Sequence, residues 1–354
     1  MSNKLVFPVP KPDKQRYDQM LEDGFKHYPK RKKNWLKYQQ SEKTTILDYL
    51  PVKADIENIS RCNFRCSHCL VSTFENQKRA RDLTPDEFKN FIDEQIGLVE
   101  IKMQGLGEPF MQRAFVDMVK YATDRYIWVR TTTNGSILHR RDNYKRIIDA
   151  NVGEIQVSID GASKQTQEQI RLDSDFNQII KNCQLLNGYC DDMGRDDTRM
   201  WSVLQESNID EAEDFLYLAK NAGFKRLTLS MELREWDGHD QLNNNIKNNR
   251  VSQIITQQWI DHLLAKAKEI DLNLSFWHAT DRFNQNNICF WPFERILLSS
   301  EAEIVPCCII ADPALFNFGA YSNFNEIWNG KKMQAFRNAH IEGKLPDICK
   351  VCYD

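Results

Sequence analysis

The sequence predicts an α/β fold, a partial (β/α)6 barrel followed by a small cysteine-rich domain toward the C-terminal end. Three observations carry this. Six apolar runs of strand length alternate with six helical patterns between residues 54 and 270, the pattern of a parallel sheet. Six units are too few to close an eight-fold barrel, which leaves an open, curved one. Beyond residue 280 the alternation stops, and cysteines, aromatics and prolines take over. The expected organisation is an N-terminal extension over 1–50, the barrel over 51–280 and the cysteine-rich domain over 281–354.

The extension is polar, with a basic stretch over 26–37 that includes Lys30, Arg31, Lys32 and Lys33, and with aromatics at Trp35, Tyr38 and Tyr49. It reads as a solvated segment that packs its aromatics on the body. The alternative is contact with an anionic substrate or carrier. Strands follow over 54–59, 98–103, 126–132, 154–159, 199–204 and 225–230. A capping box with proline at the first helical position, Thr84-Pro85-Asp86-Glu87, starts the first helix. Further helices are expected over 111–123, 142–150, 176–189 and 209–222, and a long one over 251–270. The Asn-rich insertion over 236–250 reads as a surface loop, with a lid as the alternative. A last apolar run covers 274–276.

The 354 residues are 41% hydrophobic, enough for a sizeable core. A net charge of −3 requires neither nucleic acid nor a membrane surface. No apolar run approaches the ~20 residues of a membrane helix, and the first residues lack the apolar stretch of a signal peptide. The expected location is the cytoplasm, where ten cysteines read as metal ligands rather than disulfides.

Three of those thiols fall within eight residues, Cys62-Asn63-Phe64-Arg65-Cys66-Ser67-His68-Cys69. They supply three ligands where a closed tetrahedral site needs four, and an open position is where a substrate or cofactor binds. An iron–sulfur cube on three thiolates keeps one iron free. A zinc knuckle borrowing a distant fourth ligand has the same local spacing. Polar residues collect at the other strand ends, where parallel barrels place their chemistry. Gly105-Leu106-Gly107-Glu108-Pro109 follows the second strand and Thr133-Asn134-Gly135 the third. Ser158 and Asp160 end the fourth, Gln205 and Asn208 the fifth, and Glu232 and Arg234 follow the sixth.

These residues resemble the motifs of the radical S-adenosylmethionine (radical SAM) superfamily. Cys62, Cys66 and Cys69 match its C-x3-C-x2-C loop. Glu108 and Pro109 match its Gly-Gly-Glu-Pro segment, with the first glycine displaced, so that Gly105 and Gly107 flank Leu106. The resemblance implies a [4Fe–4S] cluster on the three cysteines, with S-adenosylmethionine chelating the free iron. It implies cofactor contacts from His68, Gly105, Gly107, Glu108, Asn134, Ser158 and Arg171, and an electron donor such as flavodoxin or ferredoxin.

A second set comprises Cys289, Cys307, Cys349 and Cys352, with Cys308 beside Cys307. Four thiolates without histidine suit either zinc or a fully ligated cube, and spacing does not decide between them. Cys289-Phe290-Trp291-Pro292, Glu326-Ile327-Trp328-Asn329-Gly330 and Cys349-Lys350-Val351-Cys352 resemble the auxiliary-cluster tails called SPASM and twitch domains. With cysteines for one extra [4Fe–4S] cluster, the tail resembles the shorter twitch type, as in aminocyclitol dehydrogenases. The resemblance implies a 5′-deoxyadenosyl radical that abstracts a substrate hydrogen, a base that removes a proton, and an auxiliary cluster that accepts the remaining electron. The expected reaction is oxidation of a carbohydrate, a cyclitol or another small molecule. The alternatives are a redox-neutral epimerase with Cys308, Cys183 or Cys190 as hydrogen donor, and a peptide-modifying enzyme. Candidate substrate-facing residues are Glu232, Arg234, His278, Asp281 and Cys308.

Overall fold

The computed structural model describes residues 5–231, 233, 249–278 and 283–353. Twelve strands occur among them: β1 (Lys53–Ile56), β2 (Arg65–Cys66), β3 (Glu100–Met103), β4 (Trp128–Thr133), β5 (Glu154–Ser158), β6 (Arg171–Leu172), β7 (Thr198–Val203), β8 (Arg226–Ser230), β9 (Asn273–Trp277), β10 (Arg295–Leu298), β11 (Glu303–Val305) and β12 (Gly319–Ala320). Ten form one open sheet in the order β12-β11-β10-β1-β3-β4-β5-β7-β8-β9. From β1 to β9 every neighbouring pair in this order is parallel. All six expected strands are present, and the apolar run over 274–276 supplies a seventh parallel strand, β9.

The helices follow their local signals. Pro85–Glu94 starts with the full capping box, Thr84 accepting from the Glu87 amide and Glu87 from that of Thr84. Phe115–Thr123, Asn143–Asp149, Phe176–Asp192 and Asp214–Asn221 occupy the other expected positions. The long helix expected over 251–270 is instead two, Asn249–Ile254 and Gln257–Glu269. Thr256 takes an extended conformation between them and accepts the amide of Trp259, which starts the second helix afresh.

Alternation along the strands splits the sheet into two faces. Ile101, Met103, Val129, Ile155 and Val157 are fully buried and share one core with Phe88, Phe91, Phe115 and Val119 of the helices. The opposite face, which lines the barrel lumen, carries charge. Glu154 accepts from Arg130, Arg199 and Arg226. Arg130 also reaches Glu100, and Arg295 pairs with Asp55 at 2.9 Å. Gln104, Thr132 and Gln156 link these acids by hydrogen bonds across β3, β4 and β5.

The N-terminal extension does pack its aromatics on the body. Helix Lys14–His27 sets Tyr17 edge-on against Trp128, with centroids 5.4 Å apart. Arg16 lies over the same indole and pairs with Asp197. Tyr49 donates to Phe293 O and Arg199 to Lys11 O. Trp128 begins β4, and Asp197 directly precedes β7, so the extension closes the lumen at the strand-start end. Within the basic stretch, Arg31 turns inward to Arg125 O and Lys37 bonds to Asp48, while Lys30, Lys32 and Lys33 are exposed.

The boundary expected at residue 281 does not divide the sheet. β10 lies parallel to β1 on the side away from β3, and β11 and β12 continue antiparallel from it. The cysteine-rich segment is thus built onto the barrel by main-chain hydrogen bonds. Trp328 Nε1 donates to Tyr49 O at 2.6 Å, tying the same segment to the N-terminal extension.

Candidate cofactor and cluster site

β1 ends at Ile56, and the chain then enters the three-cysteine loop. That loop is pinned by β2 pairing antiparallel with β6, so that Cys66 stands opposite Arg171, and Ser67 N donates to Ile170 O. Cys62, Cys66 and Cys69 lie within electrostatic range of one another. Burial pushes their thiols up to about 12, 12 and 11. Neutral thiols in such a place become ligands when a cation displaces their protons. Arg171 acts on all three and lowers each. Its guanidinium is held by Asp160, 2.8 Å from Nε and 2.7 Å from the nearer amino nitrogen. Asp160 is fully buried and also accepts the Val203 amide. His68 Nε2 stands 3.7 Å from the same carboxylate, and burial lowers its imidazole to about 4.

Gly105–Pro109 lies beside this loop because its glycines let backbones touch. A Cβ on Gly107 would fall 2.5 Å from both Ile59 O and Arg61 O. One on Gly105 would fall 2.2 Å from Cγ of Glu57. The buried Glu108 carboxylate accepts from Asn134 N and Thr133 Oγ1, both at 2.7 Å. Burial pushes its pKa up to about 7. Asn134 Nδ2 approaches Asn63 Oδ1 at 3.1 Å and Cys62 Sγ at 3.8 Å. Ser158 ends β5 and is buried. The structure thus gathers His68, Gly107, Glu108, Asn134 and Arg171 around the three-cysteine loop, with Gly105 against Glu57.

The second set also converges. Cys289, Cys307, Cys349 and Cys352 line one small cavity with Trp291, His340 and Tyr353. Burial raises the Cys307 thiol well above its usual range, with Cys308 and Cys289 adding to it. Among the described residues no three His, Cys, Asp or Glu side chains crowd together as the shell of a single metal ion. A cube spreads its thiolates over separate irons, and three or four converging thiols without histidine are the donor set it takes. Cys183 and Cys190 are buried in helix Phe176–Asp192, and neither lines the cavity of the second set. His278 directly follows β9 and is partly buried. Glu232, Arg234 and Asp281, and the insertion up to residue 248, lie outside the described residues.

Three residues of the site carried no weight in the sequence. Asp160 is the anchor of Arg171 and was marked only as a strand end. Glu57 accepts the Leu106 and Ser300 amides, both at 3.1 Å, and the Arg79 guanidinium at 2.5 Å. A buried acid at the end of the first strand was a findable signal for Glu57. Arg79, a distant basic residue in a loop, had none.

Comparison with known proteins agrees with this geometry. The radical SAM superfamily matches residues 56–193, and an iron–sulfur cluster-binding domain of the SPASM type matches 289–353. The mycofactocin maturase MftC of Mycolicibacterium smegmatis is 28% identical over 225 residues, which is 62% of this chain and 53% of that protein. The PqqA peptide cyclase of Bradyrhizobium diazoefficiens is 27% identical over 117 residues, 32% of this chain and 30% of that one. The chain spans about half the length, 53%, of the first of these relatives. Among solved structures, Streptococcus suis SuiB bound to precursor peptide SuiA is similar with a TM-score of 0.64 at 13% identity, over 82% of this chain and 67% of that one. The structure of anSMEcpe with bound AdoMet and the Cp18Cys peptide gives 0.61 at 14%, over 85% and 88%. At these identities the structural likeness shows the fold. A radical SAM domain implies S-adenosylmethionine and a [4Fe–4S] cluster, and a SPASM domain implies additional iron–sulfur clusters. Cys62, Cys66 and Cys69 would hold the first, and Cys289, Cys307, Cys349 and Cys352 a second. Residues 56–193 thus form a radical SAM domain, and residues 289–353 form a SPASM-type iron–sulfur cluster-binding domain.

Proposed function

We propose that this radical SAM enzyme modifies a peptide by oxidation. The observation that carries the reading is the kinship with a maturase at 28% identity and with a peptide cyclase at 27%. It favours the peptide alternative over oxidation of a sugar or cyclitol. The four-thiol cavity supports an oxidative outcome, since a cluster there offers a sink for the second electron.

When bound, the first cluster and S-adenosylmethionine supply a carbon-centred radical that takes hydrogen from the substrate. The chain's own residues position that chemistry. Glu108, buried and raised to about 7, would hold a cationic amino group of the cofactor, which would favour its ionised form. Arg171, fixed by Asp160, offers positive charge to the thiolates and to a carboxylate of the cofactor. Asn134 holds the loop at Cys62 through Asn63. The N-terminal extension packs across the strand starts through Tyr17 on Trp128 and Lys11 O on Arg199.

The test uses the anaerobically reconstituted, reduced chain with S-adenosylmethionine and short peptides encoded beside its gene. The expected result is peptide that loses hydrogen in step with 5′-deoxyadenosine release. Unchanged peptides, together with 5′-deoxyadenosine release stimulated by a cyclitol or sugar, would overturn the reading.

A further inference from the structure

Lys102 sits mid-strand on the lumen face of β3, between Asp55 of β1 and Arg130 of β4 in the register. It is partly exposed, and among the described residues it makes no hydrogen bond or ion pair. The acids around it are already committed. Asp55 binds Arg295 and Gln104, Glu154 binds Arg130, Arg199 and Arg226, and Glu100 faces Arg130 and Arg295. The ammonium of Lys102 therefore has no carboxylate paired to it, and Asp55 and Glu154 stabilise it only at longer range. A group taken out of water into such a place costs free energy unless a counter-charge arrives.

Its position is also informative. Val305, Leu297, Asp55 and Lys102 lie on one rung across β11, β10, β1 and β3. Cys307 and Cys308 come two and three residues after Val305, and Cys308 acts electrostatically on Lys102. The three-cysteine loop leaves from the end of β1, the adjacent strand. Lys102 thus stands on the lumen face beside the strand that leads into the three-cysteine loop and within electrostatic reach of Cys308.

We propose that Lys102 is the lumen's anchor for an acidic group of the substrate, a side-chain or terminal carboxylate that pairs with its ammonium and places the neighbouring carbon between the cysteine sets. The source of that carboxylate rests on the peptide reading above. An amine paired with a carboxylate makes charge-assisted hydrogen bonds that fix orientation as well as affinity. Burial and Arg130 lower the amine to about 8, so at pH 8 it is a better nucleophile than surface lysines and can be followed chemically.

The test is acetylation of the intact, reconstituted wild-type protein with a small neutral acylating reagent at pH 8, read at Lys102 by peptide mass mapping. The probes are N-acetylglutamate amide, its neutral counterpart N-acetylglutamine amide, and glucuronate. Exposed Lys14 is the internal control. The expected result is that N-acetylglutamate amide slows Lys102 acetylation roughly tenfold at saturation, the worth of one charge-assisted hydrogen bond. The glutamine amide should not slow it, and Lys14 should not respond to any probe. Equal protection by acid and amide, or none by either acid, overturns the pairing. Protection by glucuronate alone keeps the pairing and overturns the peptide as its source.

Discussion

Replacing Arg79 with Met should destabilise the chain by about 3 kcal/mol, the lower end of the range for breaking a buried ion pair. The Arg79 side chain is 5% exposed and that of its partner Glu57 is 1%. Without the guanidinium, the buried Glu57 carboxylate loses its ion-pair partner and is left with the Leu106 and Ser300 amides at 3.1 Å. Those two donors hold the cost at the lower end. The second arm, to Glu301, ends on a carboxylate 42% exposed and adds under about 1 kcal/mol. Because Leu106 N hangs on Glu57, the segment that meets the cofactor should loosen along with the fold. Denaturant unfolding under anaerobic conditions measures the stability, and titration with S-adenosylmethionine measures the site. The Arg79→Met/Glu57→Gln double variant removes the stranded charge and should recover roughly 2 kcal/mol of coupling. A single variant within about 1 kcal/mol of wild type, the size of an ordinary surface pair, would refute the argument that Glu57 depends on Arg79.

Three further outcomes follow from the same geometry. The Glu154 carboxyl is held down to about 2, burial opposing and Arg130, Arg199 and Arg226 prevailing. Its folded value is below the unfolded one near 4.5, so its stabilisation is present above pH 4.5 and is lost as pH falls toward 2; Glu154→Gln should flatten that acid limb by a few kcal/mol, read by circular dichroism against wild type. Gly107→Ala sets a Cβ 2.5 Å from two carbonyl oxygens that cannot yield, so the three-cysteine loop should lose its iron while helix content is kept; an unchanged iron content would count against the close approach. Cys349→Ala with Cys352→Ala should leave about four irons per chain, one cube on the first loop, and recovery of zinc with the wild-type tail would contradict a second cube.

The βα rhythm was legible because each strand obeys a local rule. Ile101, Met103, Val129, Ile155 and Val157 alternate with polar residues, and only the helix-covered face needs them apolar. The cysteine loop was legible for a similar reason, since its ligands fall within a span of eight residues. What failed was long range. β2 and β6 are two residues each, and their pairing joins positions more than 100 apart with no pattern to announce it. The long helix over 251–270 was misjudged because apolar spacing runs on through Thr256, while that residue's extended backbone and side-chain cap outweigh it. The charges on the lumen face read, one by one, as ordinary polar strand residues. Their meaning depends on which strand lies beside which, as when β10 enters next to β1 and brings Arg295 to Asp55.

That insertion of β10 also governs how the two cysteine sets can work together. β1 leads into the three-cysteine loop, β10 lies beside it, and β11 beside β10 leads within two residues to Cys307. Two strand spacings, about 10 Å, therefore separate β1 from β11. A tail joined by a flexible linker would let that separation drift. Here it is held by ladder hydrogen bonds and by Glu57, which binds Ser300 N just past β10 and Leu106 N in the cofactor segment with one carboxylate. The same side chain thus sets the cofactor segment and the tail in register. Under the proposed reaction, a substrate carbon anchored from Lys102 stays at a fixed reach from both sets, which is what a hydrogen abstraction followed by electron removal requires.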